Sequence, residues 1–177
     1  MLTREKLTDA QWSAVRTTPQ LVVLAVSSVG GTPFEELLER RAGLRGIEDA
    51  INSTHPLLRA IADGTQIVQA EDEIRAWYHS LPDAERTPAS LQEKALASTR
   101  QALDAIRAQD GPGDLLQYGD FVLATAARVA RVAREGDFLG IDGERISRGE
   151  RDFIARLEHV VATGRSEPHR GAGPKAA

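Results

Sequence analysis

Apolar residues return every three or four positions along most of this chain, the spacing of one face of an α-helix. Trp12 and Val15 mark the inner face of a short helix over about 8–17. A second helix is predicted over about 19–29, where LVVLAVSSV is apolar nearly all round and therefore belongs at the centre of the fold. Its β-branched run also suits a buried strand; helix is preferred because no second strand candidate exists to pair with it. A third helix starts at Thr32, runs through FEELLERRAG, breaks or bends at Gly43 or Gly46, and continues to about 51. HPLLRAIADG predicts a short helix ended by Gly64, and residues 66–80 an amphipathic one with Ile67, Val68, Ile74 and Trp77 or Tyr78 inward. From Pro88 to about 109, Leu91, Ala95, Leu96, Leu103 and Ile106 share one side, before QDGPGD breaks the pattern. A helix over about 114–135 carries Leu115, Tyr118, Val122, Ala126, Val129 and Val132, and the last runs from Arg148 to about 162 with Phe153, Ile154, Leu157, Val160 and Val161.

The helix starts are written in the polar residues between these stripes. Thr8–Gln11 (TDAQ), Thr32–Glu35 (TPFE) and Ser147–Glu150 (SRGE) fit the capping box, in which a hydroxyl and a carboxylate or amide satisfy the first free N–H groups reciprocally. Thr-Pro pairs at 18–19, 32–33 and 87–88 put proline at the first helical position, where its missing N–H costs nothing. The expectation is an all-α fold: a single compact bundle of seven to eight helices over residues 1–163. Residues 164–177, GRSEPHRGAGPKAA, have almost nothing to bury and are expected to form a disordered tail.

Composition narrows the chemistry more than the fold. Of 177 residues, 41% are hydrophobic, 27% charged and only 5% aromatic, so the core is built from Leu, Ile, Val and Ala, which favours helix packing. A net charge of −4 argues against an extended polyanion partner such as nucleic acid. Without cysteine there is no disulfide, thiol catalysis or cysteine-based zinc site. MLTREKLTDAQW lacks the apolar core of a signal peptide, and LVVLAVSSV is far short of a membrane span, so a cytoplasmic, non-membrane protein is expected. Abundant Ala and Arg suggest a GC-rich bacterial source.

One stretch invites a chemical hypothesis. REGDFLGIDGERISRGERDF, residues 134–153, gathers acids and glycines between two helices. Asp137, Asp142, Glu144 and Glu150 offer oxygen ligands for calcium or another divalent cation. The spacing is not that of an EF-hand: with Gly143 at the sixth position, only Asp142 falls on a ligand position. The same residues also read as a capped turn. Gly136 then ends one helix, Asp142-Gly143 turns the chain, and Ser147 with Glu150 caps the next helix.

VARVAREGDFLGIDGERISRGERDFIARL resembles the C-terminal part of a family of uncharacterised bacterial all-helical proteins. The resemblance lies in an Ala-rich helix, an EGxFLG loop and an [VI]SxxE helix start, over residues 119–160. It implies an all-α fold. More distantly, the order helix, DGE, ISxxE, helix is similar to the TerB-like tellurite-resistance proteins, which implies an acidic metal-binding site in this loop.

Other signals are weaker. Arg128, Arg131 and Arg134 recur every three residues and form a basic stripe that would suit an anion. His55, His79, His159 and His169 show no mutual ligand spacing, and no nucleophile or phosphate-loop motif occurs. In AEDEIRAWYHS, residues 70–80, the spacing predicts surface ion pairs from Asp72 and Glu71 to Arg75. The sequence thus leads to a non-enzymatic interaction or accessory module, without a cofactor, whose partner is another protein or a second copy of the chain. The alternative is a divalent-metal-binding stress-response module of the TerB-like kind, using residues 135–150.

Overall fold

The computed structural model describes residues 1–28, 33–109, 112–135 and 148–166, with the side chains of 33–35 and 133–135 outside that description. Among the described residues there are seven α-helices and no strand. They are α1 (Asp9–Ser27), α2 (Pro33–Asp49), α3 (Pro56–Ile61), α4 (Gly64–Ser80), α5 (Pro88–Arg107), α6 (Pro112–Glu135) and α7 (Arg148–Ser166). The chain is all-α, as its periodicity predicts.

α1 begins at the predicted capping box. The Gln11 N–H donates to Thr8 Oγ1 at 3.3 Å, and the Thr8 N–H donates to Gln11 Oε1 at 3.0 Å. The helix does not stop at Pro19, so the two helices expected over 8–17 and 19–29 are one. A proline inside a helix removes an N–H, here the one that would reach the Val15 carbonyl. Tyr118 on α6 supplies the replacement: its hydroxyl donates to Val15 O at 2.8 Å. Thr18, expected to cap a new helix, instead donates back to Ala14 O at 2.7 Å and lies 2.8 Å from Ser98 Oγ on α5.

α1 is the central helix, with α2, α4, α5 and α6 packed around it and α7 closing over α5 and α6. Val15, Leu21, Val22, Ala25 and Val26 share one core with Leu96, Leu103 and Ile106 of α5, Tyr118 and Val122 of α6, and Phe153 and Leu157 of α7. The predicted inner residues of α5, α6 and α7 are buried or half-buried throughout. Val68 is the exception on α4: predicted inward, it is 55% exposed, because α4 turns Ala70 and Ile74 to the core instead.

Three glycines do something other than the sequence suggests. α2 runs unbroken through Gly43, where a Cβ would lie 2.6 Å from Val23 and 2.8 Å from Val129. Gly43 therefore serves the close approach of α2 to α1 and α6. Gly64 does not end α3, which stops at Ile61. It opens α4, capped by Asp63, whose carboxylate accepts from the N–H groups of Thr65 at 3.0 Å and Gln66 at 3.3 Å. Gly164 lies in α7 rather than in a tail, buried against Leu103, and its carbonyl accepts from Arg107. The next residue, Arg165, donates to Asp120 Oδ1 at 2.6 Å and Leu116 O at 2.9 Å, fixing the end of α7 to α6. The boxes at Thr32 and Ser147 and residues 167–177 lie outside the described residues.

Candidate functional site

The sequence-predicted acidic site is only partly in view. Asp137, Asp142 and Glu144 lie outside the described residues. Glu150 is the third residue of α7 and is buried, where a helix N-terminus favours a carboxylate. Among the described residues, no group of three His, Asp or Glu side chains converges as metal ligands. On the basic stripe, Arg128 folds over Gly46 and pairs with Asp49 through Nη1–Oδ2 at 2.9 Å, tying α6 to the end of α2. Arg131 is exposed, and the Arg134 side chain lies outside the description.

Two polar clusters were not legible in sequence. His55, the N-cap of α3, places Nε2 at 2.8 Å from Oδ1 of Asp114 in the first turn of α6, and both side chains are buried. The amino terminus of Met1 lies 3.8 Å from the other oxygen of Asp114. The pair lies 59 positions apart in the chain, and only the fold joins them. Between α1 and α4, Arg16 donates to Glu73 and to Gln66 (3.0 Å) and Gln69 (2.6 Å). Ser13 donates to Glu73 at 2.6 Å, and the Trp12 indole N–H donates to Gln66 at 2.8 Å. These contacts fix α4 along one side of α1.

With α4 held there and α2 held on the other side by Gly43, a groove remains between them. Its cavity of about 380 Å³ is floored by Gln20, Val23 and Leu24 of α1, and walled by Arg40 and Leu44 of α2 and Glu71, Ile74, Arg75 and Tyr78 of α4. Leu91 of α5 also lines it. Helical spacing makes the walls continuous faces. Leu37, Arg40 and Leu44 stand at i, i+3 and i+7 on α2; Val68, Glu71, Arg75 and Tyr78 follow the same rhythm on α4. Leu37 (58% exposed) and Val68 (55%) extend these faces one turn beyond the cavity.

The polar groups of the groove are held in place. Gln20, itself buried, donates through Nε2 to Ile67 O at 2.9 Å and so bridges α1 to α4 at the floor. Arg40 donates through Nη2 to Glu36 Oε1 at 2.6 Å, while its Nε is buried with no hydrogen-bond partner among the described residues. Arg75 donates through Nη1 to Asp72 Oδ1 at 2.9 Å, one of the two ion pairs expected from the sequence. That pair accounts for one edge of Arg75 only; Glu71 and Tyr78, read from sequence as bland, prove to line the cavity. The sequence places Val68 at helical spacing from Glu71 and Arg75, a pattern that becomes informative only once Val68 is seen to be exposed and α2 to line the same groove.

Compared with models of known protein families, with curated proteins and with solved structures, the chain matches none.

Proposed function

We propose that this chain is a non-enzymatic binding module that acts through the groove between α2 and α4. The observation carrying this reading is the groove's make-up: an apolar concavity of about 380 Å³ edged by two guanidinium groups, a carboxylate and a fixed amide. Recognition sites combine apolar lining with a few oriented polar groups in this way. Leu37 and Val68, exposed on the two walls, add apolar surface that an occupant would cover. The test is methyl NMR of the full chain against a collection of small neutral and charged fragments. The expected result is shift changes centred on Val23, Leu24, Leu44 and Ile74. Fragments that bind only elsewhere, or not at all, overturn the reading.

A second reading, a divalent-cation module, is supported by Asp137, Asp142 and Glu144 in one glycine-containing stretch and by the burial of Glu150 beside it. It requires calcium or another divalent cation to raise the thermal midpoint of the native chain but not that of an Asp137→Ala/Asp142→Ala variant. Equal midpoints with millimolar cation and with EDTA would dismiss it.

A further inference from the structure

We infer that the groove takes a small amphipathic monocation, its ammonium head held at Gln20 and Glu71 and its hydrocarbon body lying on Val23, Leu24, Leu44 and Ile74. This rests on the groove being the binding site, and adds the class of ligand.

A cavity of about 380 Å³ falls in the range of small-ligand pockets. Val23 is buried, and Leu24, Leu44 and Ile74 line the cavity with it, so the body of an occupant meets apolar surface. The polar groups decide its head.

The two guanidinium groups are neutralised within their own helices, Arg40 by Glu36 at 2.6 Å and Arg75 by Asp72 at 2.9 Å. Glu71 is not. Helical spacing would let it pair with Arg75, but Arg75 turns to Asp72 instead. Glu71 lines the groove half-buried, with no ion pair or hydrogen bond among the described residues. Three carboxylates then stand against two guanidinium groups, an excess of one negative charge.

A second acceptor lies beside it. Gln20 is buried and donates through Nε2 to Ile67 O at 2.9 Å. A carbonyl can only accept, so this bond fixes the amide, and its Oε1 accepts nothing among the described residues. In α4 the Ile67 carbonyl also accepts the N–H of the residue four further on, which is Glu71. The Gln20 amide and the Glu71 backbone therefore meet on one carbonyl, and both free acceptors belong to the corner where the α1 floor joins the α4 wall. An ammonium group brings three donors and a positive charge to that corner. A carboxylate would meet Glu71 there, and an alcohol brings one donor without charge.

The experiment is methyl NMR titration of the native chain with hexylammonium, 1-hexanol and hexanoate, repeated on a Glu71→Gln variant whose fold is checked by its thermal midpoint. One hexylammonium per chain is expected, with shifts at Val23, Leu24, Leu44 and Ile74. It should bind at least about fivefold tighter than hexanol, the upper end for an ion pair open to water. Hexanoate should be weakest. Glu71→Gln should bring hexylammonium down to the level of hexanol and leave hexanol unchanged. On the native chain, added salt should weaken hexylammonium and not hexanol. Hexylammonium bound no tighter than hexanol, weaker than hexanoate, or unaffected by salt or by Glu71→Gln overturns the inference and leaves a groove of other preference standing. Shifts confined to methyls elsewhere, or no hexylammonium binding, overturn it too. The fragment experiment above then decides separately whether the groove binds anything.

Discussion

At the scale of single residues, Tyr118 shows how one side chain repairs a defect made elsewhere. Pro19 denies the Val15 carbonyl its helical donor, and the Tyr118 hydroxyl replaces it at 2.8 Å. Tyr118→Phe should therefore cost about 1–3 kcal/mol in denaturant unfolding, the cost of a buried acceptor left unmade. The cost should shrink in a Pro19→Ala background, where the substituted residue brings its own N–H to the Val15 carbonyl. An equal loss in both backgrounds would separate the tyrosine from the proline. Burial also drives the Tyr118 phenol well above its ordinary value of 10.0. The neutral form is the one the fold accommodates, so the contribution is complete below pH 10 and declines as pH rises beyond it. Above pH 10 the native chain should lose stability more steeply than Tyr118→Phe, by up to about 1.4 kcal/mol per pH unit. Parallel pH profiles for the two would contradict this.

At the scale of the helix, residues that break helices in isolation are used here for contact. The caps at Thr8 and Thr87 were legible because capping is local: Thr8 with Gln11, and Thr87 with the Ser90 N–H at 3.2 Å, need only their own neighbours. Pro19, Gly43 and Gly64 were misread because their roles depend on partners distant in sequence, or on a stronger neighbouring signal such as Asp63. Gly43 gives a direct test. Replacing a helical glycine with alanine ordinarily gains up to about 1 kcal/mol. Here the new methyl would meet both branches of Val23, at 2.6 and 2.7 Å, and Val129 at 2.8 Å. Crowding of this kind costs about 1–3 kcal/mol. Gly43→Ala should thus destabilise the chain by roughly 1–2 kcal/mol net. A rise in the unfolding midpoint would mean that α2 stands off from α1 and α6. Gly64→Ala meets nothing within 4 Å and should be neutral or mildly stabilising.

At the scale of the whole molecule, the groove exists because two helices are fixed to opposite sides of α1 by unlike means. Polar contacts from Arg16, Ser13 and Trp12 hold α4, and close packing at Gly43 holds α2. That one wall of α2 and one wall of α4 line the same groove could not be read from one helix at a time, although each face is plain in sequence once the partner is known. The acidic loop attracted attention because its residues are adjacent in the chain; the groove's residues span positions 20 to 91. Energetic coupling follows from this construction. A ligand bridging α2 and α4 binds only when both rest on α1, so it stabilises the fold as a unit. At a hundredfold excess over its Kd, such a ligand should add about 2.7 kcal/mol. For a chain of this length that corresponds to a rise of roughly 5–11 °C in the unfolding midpoint. Amide exchange should slow in α2 and α4 together. Protection gained in one of them alone would show that the ligand sits on a single wall, and that the groove is not the unit that binds.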